Sequence, residues 1–395
     1  MWVVTNDRNS PFGVFSQAYT ASAVYREALK DARQAQGFVF GATRSDTPPE
    51  PELYVLVIGE SSRSMNWRLY GYDRNTNPQL SDSRNLIVFR DVITQAAVTR
   101  ISVPLILTRG TIEDEQRAAR ERSIVSVFHE AGFHTYWVST QQRDPFTGAI
   151  NRYPREADVT RFYERRHDGL LVDTVKEMLA QNAAKEGKMF FVVHSMGSHF
   201  NQISRYPRVF NLFPDDDSTL SAQQRLINAY DNTIAYTDHV LSDLIDVLRQ
   251  RPGIKALLYV SDHGENLNDD ERGLFGHYQN NEYDLPIPLL FWYSEEYAGH
   301  FPDKVAAARN NALRPLNTRV VFHSLADMAG INIHDADTTR LSVFSPELAN
   351  IRRMVLGEPK PFDFDRSNLE RGPKVHAQVH AERGSMTGNA AQPLP

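Results

Sequence analysis

Cysteine is absent from the 395 residues. Its absence excludes disulfides and thiolate metal sites, so any metal must be held by oxygen and imidazole ligands; it leaves the redox compartment open. Long apolar runs are missing too. Nothing approaches the ~18–20 apolar residues of a spanning helix, and the longest stretches, 53–58 and 287–293, have the length of buried strands. Nor is there an excess of positive charge: 43 Lys and Arg against 49 Asp and Glu give a net charge of −6, which argues against a partner such as nucleic acid. The opening MWVVTNDRNS has no basic segment ahead of an apolar stretch, unlike a signal peptide. The expectation is a cytosolic protein, or a chain without the segment that would deliver it elsewhere.

What is present suits a large core: 41% hydrophobic and 23% charged residues are ordinary globular values. Residues 1–50 read as peripheral, with a helix expected over 19–36 and a stiff linker at TPPEP (47–51). From Leu53 onward strands and helices alternate. LYVLVIG (53–59), LIVF (86–89), FHTYWV (133–138), MFFVVH (189–194), IKALLYV (254–260) and IPLLFWY (287–293) read as strands. Residues 102–108, 123–131, 170–181 and 220–250 read as helices. Continuous apolar strands separated by amphipathic helices predict an α/β fold, a mostly parallel sheet with helices on both faces. Residues 359–395, polar with scattered Gly and Pro, are expected to form a poorly ordered tail.

Such sheets carry their chemistry just past the carboxyl ends of strands. Three ends stand out: Gly59-Glu60-Ser61-Ser62, His194-Ser195-Met196-Gly197-Ser198-His199, and Ser261-Asp262-His263-Gly264-Glu265-Asn266. Asp262 and His263 with Glu60 from another strand make a three-ligand zinc set that leaves a position open. The competing reading makes Asp262 a helix cap, His263 a loop residue and Glu60 an acid at a helix terminus. Histidines at further strand ends favour the metal.

A nucleophile is needed next. In VTRISVPL (98–105), Pro104 lacks an N–H and is tolerated only in the first turn of a helix. A helix starting shortly before it puts Thr99 at or beside its N-terminus, where a hydroxyl faces unpaired N–H groups. Thr99 as a plain N-cap is the alternative, and Thr94 and Ser102 are competing hydroxyls.

These residues resemble the motifs of the bacterial phosphoethanolamine transferases, within the alkaline-phosphatase/sulfatase superfamily. GESSRSMNWRLYGYDRNTNPQL (59–80) is similar to their opening motif, TRISVPLILTR (99–109) to their nucleophile helix and HSMGSH (194–199) to their His-x-x-Gly-Ser-His. YDNTIAYTD (230–238), SDHGEN (261–266) and FGHY (275–278) also match, all in order between about 53 and 330. The resemblance implies an alkaline-phosphatase/sulfatase-like fold over 51–358 and a zinc ion, with room for a second, held by Glu60, Thr99, Asp262 and His263. It implies Thr99 as the nucleophile that becomes phosphoethanolamine-modified, and His199 and His277 as contacts of the phosphoryl group or of a second metal. Phosphatidylethanolamine would donate and a lipopolysaccharide, at lipid A or the core, would accept. Family members usually carry transmembrane helices before this domain, so the chain is expected to be the periplasmic part of an inner-membrane protein, with 1–50 the linker from the membrane.

Three departures matter. The missing cysteines tilt the expectation towards disulfide-free relatives that modify the lipopolysaccharide core or other glycans. Phe200-Asn201 stand where the family often has Gly-Pro, and Thr140 stands near where some members have a substrate-contacting Asn. The alternative is a phosphodiesterase or sulfatase-type hydrolase of the same superfamily. A sulfatase of the usual kind is disfavoured, because it needs Cys/Ser-x-Pro-x-Arg and Ser102-Val103-Pro104-Leu105-Ile106 lacks the arginine. A non-catalytic relative would have lost a ligand, and none is lost.

Overall fold

Strand β1 (Glu52–Gly59) is buried along its whole length because its side chains alternate between two cores. Tyr54, Leu56 and Ile58 pack on one face of the sheet, Leu53, Val55 and Val57 on the other. The same alternation runs through the other central strands. Burying each large apolar side chain contributes roughly 1.5–3 kcal/mol, so packing of both faces holds the sheet more than strand propensity does. In this computed structural model the described residues are 35, 37–44, 46–143, 150–182, 187–335, 337–357, 360–367 and 369.

Seven strands make the sheet: β1, β2 (Leu86–Phe89), β3 (His134–Ser139), β4 (Val159–Phe162), β5 (Lys188–His194), β6 (Ile254–Ser261) and β7 (Leu289–Tyr293). Their order is β2-β7-β6-β1-β5-β3-β4. All neighbouring pairs from β6 to β4 are parallel, whereas β7 runs antiparallel to both β6 and β2. That reversal and the half-exposed edge strand β4 are not in the apolar pattern; the other strands lie where their sequences place them.

Helices cover both faces. α1 (Thr99–Leu107), α2 (Ile124–Glu130), α5 (Pro302–Asn311) and α6 (Arg319–Met328) pack on the side of Leu56. α3 (Gly169–Asn182) and α4 (Ala222–Arg249) pack on the side of Val55. The 28-residue α4 opens with a capping box between Ser221 and Gln224.

The described chain stays packed beyond the bounds expected from composition. Phe40 and Ala42 join the main core, and Thr43 bridges to Asn332. Of the helix expected over 19–36, only Ala35 is described. At the other end Phe362–Asp363 pairs with Met354–Val355, and Phe364 is buried against Ile93 and Val355. Of the polar tail expected over 359–395, residues 360–367 and 369 are described, and 370–395 lie outside the described residues.

Candidate active site

The register of the sheet assembles the site. Ile58 pairs with His194 and Gly59 with Ser261, so the chain leaves three adjacent parallel strands at one level. Glu60, Ser195 and Asp262 are the first residues past those ends. Gly59 is required there, since a Cβ would lie 2.4 Å from the Tyr259 hydroxyl.

Glu60, Asp262 and His263 are fully buried and offer ligand atoms all within 4.8 Å of one another; among the described residues no other set of three carboxylate or imidazole donors is that close. Asp262 does not cap a helix: its Oδ1 accepts the Ser61 and His263 amides at 3.0 and 2.7 Å, and its buried Oδ2 has no hydrogen-bond partner. His263 Nδ1 donates to the Gly264 carbonyl at 2.8 Å. That fixes the tautomer and turns Nε2 towards Glu60 Oε1 and Asp262 Oδ2, each 3.4 Å away. Two carboxylates around one ring nitrogen demand a cation. A proton on the ring is the simplest such cation. Against the pull of burial, Asp262 and Glu60 raise His263 to about 9. Burial pushes Glu60 up, but His263 and His199 outweigh it and bring the carboxyl down to about 2, while burial and the Glu60 charge raise Asp262 to about 7. A divalent ion would take the proton's place, and an oxygen-rich set with one imidazole suits zinc.

Thr99 completes the ring. Its Oγ1 lies 3.3 Å from both Glu60 carboxylate oxygens and 3.1 Å from His263 Nε2. Helix α1 begins at Thr99, as expected, yet the reasoning from proline needs correction. Pro104 is the sixth residue of the helix, past the first turn, where its missing N–H deprives the Arg100 carbonyl of its donor. Val98 is the N-cap, so the Thr99 hydroxyl is turned to the carboxylates instead of capping. The competing hydroxyls are elsewhere: Thr94 donates to the Ala96 carbonyl, and Ser102 is buried without a partner.

His199 borders a cleft of ≈ 170 Å³ that opens on Thr99 and is also walled by Trp137, Gln141 and His194. His277 packs its ring 4.4 Å from that of His263, outside the three-ligand set, and burial lowers it to about 4. Both histidines thus stand beside the Glu60–Asp262–His263 cluster, on loops from two different strands.

The model of the family described as Sulfatase matches residues 52–331. The chain belongs to the sulfatase family. Among the relatives of this sulfatase-family chain, the Kdo(2)-lipid A phosphoethanolamine 7''-transferase of Salmonella typhimurium is 34% identical over 72% of the chain and 54% of its own length. The phosphoethanolamine transferase EptC of Escherichia coli is 28% identical over 85% of the chain and 60% of its own length. The chain spans about half the length of the curated relatives it matches. In three dimensions it is similar to the C-terminal periplasmic domain of Escherichia coli EptC in complex with Zn, with a TM-score of 0.75 and 26% identity over 86% of this chain and 99% of that one.

Within this sulfatase-family frame, some functional neighbours escaped sequence reasoning. Thr140 does not face the cleft: it is buried, donates to Asp168 at 2.5 Å and accepts the Met196 amide. Asp168 also takes the Met196 and Gly197 amides at 2.9 and 2.8 Å, so these two residues hold the 194–199 loop in shape. The next residue, Gln141, faces the site and donates to Glu60 Oε2 at 3.0 Å and to the Ser195 carbonyl at 2.8 Å. Its signal was slight, the first of two adjacent glutamines that begin two residues beyond a strand. Arg63, buried, ties the same region together through Asn66, the Glu265 carbonyl and Asp269.

Proposed function

We propose that this domain transfers phosphoethanolamine from phosphatidylethanolamine to a lipopolysaccharide acceptor, at the core or lipid A, through Thr99 and a zinc ion held by Glu60, Asp262, His263 and Thr99. One observation carries the reading: a hydroxyl at a helix start stands within 3.3 Å of a buried carboxylate and 3.1 Å of a buried imidazole that together call for a cation. The transferred group is supported by the names of the relatives, and zinc by the complex of the similar EptC domain. That domain is described as periplasmic, which supports placing this one on the periplasmic face of the inner membrane.

When bound, zinc lowers the pKa of a coordinated hydroxyl and offsets charge on phosphoryl oxygens. The chain supplies the rest. Glu60, kept ionised, accepts from the Thr99 hydroxyl and holds it in place, while Gln141 fixes the second Glu60 oxygen. Thr99 Oγ1 forms the new bond to phosphorus, and the bond to the diacylglycerol oxygen breaks. The proton given up by Thr99 ends on diacylglycerol; His199 and His277, flanking the ligand cluster, are the imidazoles placed to carry it. An acceptor oxygen then attacks the same phosphorus, the bond from phosphorus to Thr99 Oγ1 breaks, and the proton lost by the acceptor is returned to Thr99.

The test is mass spectrometry of zinc-loaded protein exposed to phosphatidylethanolamine. A phosphoethanolamine adduct is expected on Thr99, and none in Thr99→Ala, which also loses turnover. Product formation with the adduct elsewhere, or with none, defeats the assignment. An adduct that discharges to water and never to lipopolysaccharide would make the domain a phosphodiesterase.

A further inference from the structure

Tyr278 carries the largest φ, +81°, of the eight described non-glycine residues in the left-handed region. Four of the others are asparagines, whose short side chain tolerates that conformation; a tyrosine there is held against its own steric preference. The surroundings do the holding. The Tyr278 amide donates to the Ala97 carbonyl at 3.0 Å, and the Ala97 amide donates to Asn280 Oδ1 at 2.9 Å. Asp284 accepts the next three amides, those of Gln279, Asn280 and Asn281, at 2.9, 3.1 and 2.7 Å. The loop is thus tied to a point two residues ahead of Thr99. Yet the side chain so fixed is 60% exposed and belongs to no apolar core. Its ring stacks on His277, 4.4 Å between centroids, and the His277 ring lies 4.4 Å from that of His263. Three rings therefore make a column from the proposed metal ligand to solvent, ending on an open tyrosine face. Strain of this kind persists where the surroundings over-determine it, and it collects at ligand clamps.

We propose that Tyr278 is a specificity-determining residue, which binds the ammonium end of the donor headgroup by a cation–π contact. The inference rests on the transferase reading above. In an in-line displacement Thr99 enters opposite the diacylglycerol oxygen, and the acceptor later enters opposite Thr99. Ethanolamine alone stays bonded to phosphorus through both half-reactions, so a group that grips it must keep a constant place relative to Thr99. The bond from the Tyr278 amide to Ala97 supplies that constancy. The ammonium stands two carbons beyond the ester oxygen, so a phosphoryl group beside His277 leaves it within reach of the outer ring of the column. A cation is attracted to the negative face of a tyrosine ring, whereas a neutral alkyl headgroup gains only packing.

A glycine at this position separates binding from folding. Tyr278→Gly removes the ring and the strain together, so its urea midpoint is expected at or above that of wild type, with zinc content unchanged. Loading of Thr99 in zinc-loaded protein, followed by intact mass, is compared for two soluble donors: dihexanoyl phosphatidylethanolamine, and dihexanoyl phosphatidylethanol, which lacks the ammonium. Wild type is expected to reach half-maximal loading at a concentration roughly 3–30-fold lower for the ammonium donor, the range of one cation–π contact. Tyr278→Gly should bring the two concentrations within about twofold, the effect falling on concentration and not on the maximal rate. Tyr278→Phe, which keeps the ring, should restore the difference. No difference in wild type, a difference that survives in Tyr278→Gly, or a Tyr278→Gly midpoint below wild type overturns the proposal. Failure of either donor to load Thr99 in wild type sinks the transferase reading instead. The ring is then judged by calorimetry with free phosphoethanolamine and ethyl phosphate: wild type must bind the former more tightly and Tyr278→Gly must not, and any other result overturns the proposal.

Discussion

The Tyr230 hydroxyl donates to the Ser61 carbonyl at 2.6 Å and accepts the Arg63 amide at 2.9 Å, so one side chain of α4 closes both ends of the turn that follows Glu60. Neighbouring polar residues of the helix act alike: Asp231 receives Asn66, Tyr72 and Arg74, and Thr233 donates to Ser198. The YDNTIAYTD stretch is thus a scaffold on which two site loops hang. Tyr230→Phe leaves a buried carbonyl and a buried amide unpaired. The expected cost is roughly 1–3 kcal/mol of stability, read as a lower urea midpoint, together with a fall in turnover as Glu60 loses its fixed position. Unchanged midpoint and turnover would refute the role.

Metal affinity should depend on Gln141 and Asp262 to different degrees. Asp262→Ala removes a proposed ligand and should empty the site of zinc in protein purified without added metal. Gln141→Ala leaves the proposed ligands in place and only frees Glu60 Oε2, so zinc should remain but bind roughly 10–100-fold more weakly. Competition with a chromophoric chelator measures both. Normal zinc occupancy in Asp262→Ala would remove it from the ligand set, and unaltered affinity in Gln141→Ala would reduce its contact with Glu60 to coincidence.

The contrast between these residues shows what a sequence can reveal. Glu60, Asp262 and His263 were legible because each ends a continuous apolar run, and in a parallel sheet all such ends converge. Thr99 was legible through a proline rule that led to the right helix start from a wrong position for Pro104. Gln141 was not legible, because strands alternate: one residue decides whether a side chain enters the cleft, and the polar neighbour Thr140 points to a buried acid, Asp168, 28 residues away. The antiparallel sense of β7 was equally hidden, since an apolar strand reads the same in either direction. At 362–367 the charges of FDFDRS masked a packed segment. There Arg353, nearly fully buried, pairs with Asp91 at 2.5 Å and with Asp365, so the acid belongs to the fold and not to a solvated tail.

Asp238 provides a pH test away from the metal ligands. Burial pushes its carboxyl up to about 6, against the Gln79 and Leu80 amides that it accepts at 2.9 and 3.0 Å. The native state therefore binds this proton more tightly than the unfolded chain, whose carboxyl titrates near 3.9. The stability so gained is complete below about pH 4 and lost as pH rises through about 6. Two units correspond to roughly 2–3 kcal/mol. In chelator-treated protein, the stability of wild type minus that of Asp238→Asn should fall by up to this amount between pH 4 and 6.5. A difference that is flat in urea titrations across that range would mean the carboxyl is not raised.

Gly197 and Gly132 both adopt positive φ, +48° and +85°, yet their surroundings differ completely. A Cβ on Gly132 would meet nothing within 4 Å, so Gly132→Ala carries only the cost of the left-handed conformation, about 1–2 kcal/mol. A Cβ on Gly197 would lie 2.7 Å from the Glu60 carbonyl oxygen and 2.9 Å from its amide nitrogen. Backbone cannot swing aside as a flexible side chain can, and the Ser198 amide, bonded to that same carbonyl at 2.9 Å, holds the two loops together. Gly197→Ala should therefore displace Glu60 itself, cutting turnover by about 10²-fold, the loss that misplacement on the ångström scale can cause, while Gly132→Ala keeps turnover close to wild type. Equal stability losses with equal turnover in the two variants would show that the close approach of the 194–199 loop to Glu60 does not position the carboxylate.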